Sequence, residues 1–162
     1  MIPHVATVAG QPITVGELEE RIALMRLGPR GRQMPPSDGP GYAELCRWVA
    51  RELVTESIVA HEIRGRRLTD VSQLVLAVTQ DVVVADEQVR GYYHRNLDLY
   101  RQGANVVSFE DARATIEQDL LLAARVRAFD VWLEGRRHEL AVVEPRYEHP
   151  ADSRYGFPNH RH

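Results

Sequence analysis

The sequence predicts a mainly α protein with a small two-stranded sheet that ties its ends together, followed by a disordered C-terminal tail. Three observations predict this. Apolar residues recur at helical spacing through long segments, above all from Tyr42 to about Arg66 and from Ser108 onward. Two short β-prone runs, Val5–Ala9 and Leu140–Glu144, flank those segments, and each is too short to stand without a partner strand. From Pro145 to His162 the periodicity is lost.

The first run, Val5-Ala6-Thr7-Val8-Ala9, is turned by Gly10-Gln11-Pro12. Thr14 followed three residues later by Glu17 is a capping box, in which each side chain covers an exposed backbone donor at a helix start. Leu18, Ile22 and Met25 then give an apolar stripe ending near Leu27. Residues 28–41, rich in Gly and Pro, form neither a helix nor a paired strand, and their length suits either a connector or a functional loop. Leu45, Trp48, Val49, Leu53, Ile58 and Ile63 supply the apolar side of the next helix, which Gly65 weakens at its end.

Thr69-Asp70 can cap a shorter segment through Leu74, Leu76 and Val78. Val82-Val83-Val84 reads as a linker into a helix, because Asp86 and Glu87 then meet the positive helix N-terminus. That helix carries Val89, Tyr92, Tyr93, Leu97 and Tyr100 and is expected to stop around Gly103. Ser108 with Asp111 opens the last helix, through Ile116, Leu120, Leu122, Val126, Phe129 and Leu133. Two regions follow: a helical domain over 1–145 with Val5–Val8 paired to Leu140–Val143, and an extended tail over 146–162. Removing 139–162 should destabilise the domain, whereas cutting after Pro145 should leave it unchanged.

Composition excludes several functions. The 162 residues carry a formal net charge of −3, and all 20 basic residues are Arg, so no basic surface argues for nucleic acid. No apolar stretch approaches the ~20 residues that span a bilayer. Met1-Ile2-Pro3-His4 lacks a basic segment leading into an apolar one, so a cytoplasmic location is expected. Cys46 is the lone cysteine and reads as a buried thiol. No phosphate-binding loop, dinucleotide glycine pattern, zinc-protease motif or nucleophile elbow occurs. His61 and His94 stand singly on helices. His149, His160 and His162 lie in a tail poorly suited to fixing four metal ligands, so no metal and no cofactor is expected.

Three segments in order carry a resemblance. They are Val5-Ala6-Thr7-Val8-Ala9-Gly10-Gln11-Pro12-Ile13-Thr14, then Val84-Ala85-Asp86-Glu87-Gln88-Val89 with Tyr92-Tyr93-His94-Arg95-Asn96, and the closing Phe109-Glu110-Asp111-Ala112-Arg113 helix with Trp132-Leu133. Together they resemble the N-terminal chaperone domain of SurA/PrsA-like, parvulin-type peptidyl-prolyl isomerases. Ala85 departs from the family's Ser or Thr cap. The parvulin domain that usually separates the last two segments is replaced by Gly103–Val107. The resemblance therefore implies a non-enzymatic chaperone or holdase that binds apolar peptide segments in a helical cradle. The alternative is a dedicated structural or assembly subunit of a multi-subunit enzyme complex, with one enzyme subunit as partner.

Tyr92, Tyr93, Tyr100, Phe109, Phe129 and Trp132 serve either core packing or the lining of a groove for a peptide or protein partner. In the tail, Arg146, Tyr147, Arg154, Tyr155, Phe157 and Arg161 are residue types that carry interface energy, interspersed with Pro150 and Pro158.

Overall fold

A computed structural model describes residues 1–151. Its described residues form five α-helices, a three-stranded antiparallel sheet and a two-stranded one, and they divide into two compact units. The first unit comprises Met1–Thr69 with the chain from Leu133 onward; the second is Asp70–Trp132. The tail positions Arg154, Tyr155, Phe157 and Arg161, with His160 and His162, lie outside the described residues.

In the first unit, strand β1 (His4–Val8) is central, flanked by β2 (Gln11–Thr14) and β5 (Ala141–Val143). The expected pairing of chain ends is present: Ala6, Thr7 and Val8 oppose Val143, Val142 and Ala141 in antiparallel register. The sheet has a third strand that the sequence did not announce, because Gln11-Pro12 reads as a turn. Instead the turn is Ala9-Gly10, both at positive φ (49° and 78°), with Val8 opposite Gln11. Positive φ at both central positions is the two-residue hairpin geometry whose twist matches the flanking strands. Alanine pays a steric penalty there, and Ala9→Asn is expected to raise the melting temperature by about 2–4 °C, from roughly 1 kcal/mol of relieved strain. Thermal unfolding followed by circular dichroism checks this; an unchanged or lower midpoint counts against it.

Helix α1 (Val15–Arg26) begins at the expected capping box, with the Glu17 N–H donating to Thr14 Oγ1 (3.1 Å) and the Thr14 N–H to Glu17 (2.6 Å). The segment to Gly41 contains one short 3-10 turn, Gly31–Gln33. It is anchored to the unit: Met34 packs against the core, and the Arg26 guanidinium donates to the Pro35 carbonyl. A Cβ on Gly31 would lie 1.8 Å from the Arg26 carbonyl oxygen, so this approach needs glycine.

Helix α2 (Tyr42–Gly65) buries Cys46, Val49, Ala50, Val54 and Ile58. Trp48, expected on that apolar side, is 46% exposed, because Cys46 and Ala50 face inward in its place. The core is completed by Val5, Val8, Leu18, Ile22 and, from the far end of the chain, Tyr147. Pro145–Tyr147 is a 3-10 turn, and Tyr147 is 5% exposed. Two residues expected in a free tail are thus placed otherwise. Tyr147 is a core side chain, and Arg146 lies over its ring, with the guanidinium carbon 4.8 Å from the centroid.

The second unit opens with α3 (Val71–Val78), where Asp70 accepts from the Gln73 N–H at 2.9 Å. Helix α4 (Asp86–Arg95) has no side-chain cap from Ala85; Gln88 reaches back instead to accept the Ala85 N–H at 2.9 Å. The helix ends earlier than Gly103, because Asn96 terminates it, its side chain donating to the Tyr92 carbonyl at 2.8 Å. Leu97–Tyr100 forms a 3-10 turn, and β3 (Arg101–Gln102) pairs with β4 (Asn105–Val106) around Gly103 at φ 65°. Helix α5 (Phe109–Leu140) starts where Ser108 accepts the Asp111 N–H, and it continues past Gly135 to the sheet. Its residues up to Trp132 belong to this unit and those from Leu133 to the first.

Candidate functional site

The second unit has a small core of Val89, Tyr93, Ala112 and Ile116. Periodicity explains it: Val89 and Tyr93 are four apart on α4, and Ala112 and Ile116 four apart on α5. Tyr93 is buried, its hydroxyl donating to the Val107 carbonyl at 2.7 Å, with Tyr100 and Phe109 rings 5.1 and 5.5 Å from its own. Arg90 sits over Phe109, 4.6 Å from the ring centroid. Burial holds the Tyr100 phenol above its ordinary range, and the neighbouring Tyr92, Asp119 and Tyr93 add to the shift. Of the six aromatic candidates, Tyr92, Tyr93, Tyr100 and Phe109 are brought together around this core. Phe129 and Trp132 pair with each other one helical turn apart, centroids 5.3 Å apart, and do not join it.

Beside this core lies an open cleft of about 350 Å³. Its apolar lining is Val83 and Val84 from the linker, Tyr92 from α4, and Leu120 and Ala124 from α5. Glu87, Gln88, Arg95 and Arg127 supply the polar lining. Two helices build it by the same device. Gln88, Tyr92 and Arg95 fall at i, i+4 and i+7 on α4, as do Leu120, Ala124 and Arg127 on α5, so each triplet shares one helix face. Among the aromatic candidates, Tyr92 alone lines this cleft. The aliphatic and charged lining residues carry no aromatic signal in the sequence; the paired i, i+4, i+7 triplets are the pattern that marks them.

The electrostatics of this unit are uneven. Asp86 pairs with Arg90 (2.8 Å) and Arg113 (2.9 Å), and its carboxyl lies below the usual range, chiefly through the hydrogen bond from Arg90. Arg101 pairs with Asp98 at 3.4 Å. Arg95 and Arg127, in the cleft, make no ion pair among the described residues. Within those residues no group of three or more His, Cys, Asp or Glu side chains is placed to hold a metal ion. The lining is suited to non-covalent recognition of an aliphatic group beside an anion.

The model of a family of unknown function, DUF7158, matches residues 4–40. That stretch covers β1, β2, α1 and the loop as far as Pro40, and it excludes the cleft. No curated protein and no solved structure matches the chain. Among the described residues, no helix is long and apolar enough to cross a membrane.

Proposed function

We propose that the protein is a non-enzymatic peptide-holding module that seats an apolar segment in the cleft of the second unit. One observation carries the proposal: aliphatic side chains line a solvent-open cleft, and one of them, Val83, is 82% exposed. Apolar surface left in water at a concave site gains about 25 cal/mol per Å² when a ligand covers it. The order of elements supports the same proposal. A first strand paired to the last, with helices between, is the arrangement that the resemblance to SurA/PrsA-type chaperone domains implies.

A client-aggregation assay tests it. The protein at roughly equimolar ratio is expected to suppress light scattering from reduced insulin, an unrelated client. Val83→Glu should weaken suppression several-fold without unfolding the chain, because the position is exposed. Leu24→Glu, on α1 and 60% exposed, should leave suppression intact. Absence of suppression, or equal loss in the two variants, rejects a holding function for the cleft. Absence together with recovery of one partner at fixed ratio from the native host would indicate a dedicated subunit instead.

A further inference from the structure

We infer that the cleft takes the C-terminal end of an apolar chain, its last aliphatic side chain against Leu120 and Ala124 and its α-carboxylate against Arg95 and Arg127. The inference rests on the peptide-holding function proposed above and names the ligand class for that site. Three observations converge on it. First, the guanidinium groups of Arg90, Arg101 and Arg113 in this unit are matched to aspartates, whereas those of Arg95, Arg125 and Arg127 are not, and of these three Arg95 and Arg127 line the cleft. The planar guanidinium fork matches a carboxylate with two parallel hydrogen bonds. Against these two cations the lining sets a single carboxylate, Glu87, so the cleft is cationic within a chain whose formal net charge is −3. A general attraction of the protein for anions therefore does not explain a preference arising here.

Second, aliphatic and cationic groups adjoin on one helix face. Leu120, Ala124 and Arg127 follow one another along one face of α5, so a ligand seated on the first two meets the third. Third, at about 350 Å³ the space lies near the lower end of ligand pockets, which suits one or two side chains better than the middle of a long segment. Gln88 adds a donor: its carbonyl oxygen is occupied by the Ala85 N–H, which leaves its amide nitrogen for a ligand acceptor.

Fluorescence anisotropy on the whole chain tests the inference with three peptides labelled at the N-terminus. One ends Ala-Leu-Val-Leu with a free carboxylate, one is the same peptide amidated, and one is amidated with a glutamate placed internally. The free-carboxylate peptide is expected to bind about tenfold more tightly than either amide at low salt, with the advantage shrinking as ionic strength rises. Replacing both arginines, Arg95→Gln with Arg127→Gln, should remove that advantage and leave binding of the amide within about twofold. Equal binding of free and amidated ends overturns the carboxylate assignment while the holding function stands. Binding of the internal-glutamate peptide as tight as the free end overturns recognition of a chain terminus. If no peptide binds up to millimolar concentration, both the end-recognition and the holding function fall.

Discussion

Truncation after Glu144 is expected to lower the melting temperature by roughly 6–20 °C relative to a chain ending at Ala151. The shorter chain keeps β5 and the hydrogen bond from the Glu144 N–H to the Val5 carbonyl (2.9 Å) but loses Tyr147. That ring is 5% exposed and belongs to the same core as Val5, Leu18, Val49 and Ile58. Deleting a buried aromatic side chain removes ~3–5 kcal/mol through lost transfer free energy and the cavity left behind. A domain of this size shifts by about 2–4 °C per kcal/mol, which gives the stated range. The point variant Tyr147→Ala should reproduce most of the effect. Chains ending at Glu144 and at Ala151 that melt together would show that the Pro145–Tyr147 turn contributes nothing to the core.

Tyr147 also shows where the sequence stops being legible. Helix starts were readable because their chemistry is local: Thr14 with Glu17, Asp70 with Gln73, and Ser108 with Asp111 each lie within three residues of their hydrogen-bond partner. The first and last strands were readable because each is a short β-prone run that needs a partner strand. Tyr147 was not, since a lone aromatic among Pro, Arg and His carries no period, and its partners are roughly 90–140 positions away in the chain. The β1–β2 hairpin was hidden for a different reason. Its turn uses alanine at positive φ where Asn or Gly is the usual signal.

The cleft was legible only in part. Aromatic content pointed at α4 and at Phe109, Phe129 and Trp132 of α5, whereas the cleft takes one aromatic, Tyr92 of α4, and meets α5 between them at Leu120, Ala124 and Arg127. Residue type alone could not separate Tyr92, which faces the cleft, from Tyr93, which is buried beside it. One residue along a helix turns the side chain by about 100°, so adjacent tyrosines have unrelated surroundings. Polar pairings distant in sequence, one an ion pair and one a hydrogen bond to a hydroxyl, were equally invisible. Arg51 meets Glu134 at 2.6 Å, and the buried Arg137 donates to Thr55 Oγ1 at 2.6 Å. Each of these pairings crosses about eighty positions, and nothing in a charge pattern assigns the partner.

Glu62→Gln is expected to destabilise the protein by about 2 kcal/mol at neutral pH and to make its acid unfolding shallower. Glu62 is the acidic residue among the buried side chains of α2, and its carboxylate is 7% exposed. It accepts from Arg66 Nε at 3.1 Å and from Arg136 Nε at 2.7 Å, with Arg136 Nη2 in ion-pair contact at 2.6 Å; Arg136 also reaches Glu139. Burial pushes the Glu62 carboxyl up, but the hydrogen bonds and charges of Arg136 and Arg66 outweigh it and leave the group below its ordinary value of 4.5. Breaking a buried pair by removing one partner costs ~3–5 kcal/mol; the partial exposure of both arginines lowers the expectation to about 2. The folded protein therefore binds its Glu62 proton more weakly than the unfolded chain does. The stabilisation is complete above the unfolded value and is lost as pH falls through the lower folded one. Melting temperatures of wild type and Glu62→Gln should accordingly differ by about 4–8 °C at pH 7 and converge as pH falls below the ordinary value of 4.5 and through the lower folded one. The variant keeps some acid sensitivity, because Glu56, hydrogen-bonded by Arg21, and Asp86, hydrogen-bonded by Arg90, are also held low. A gap that stays constant from pH 7 to pH 3 would mean that Glu62 acts through packing alone and not through its charge.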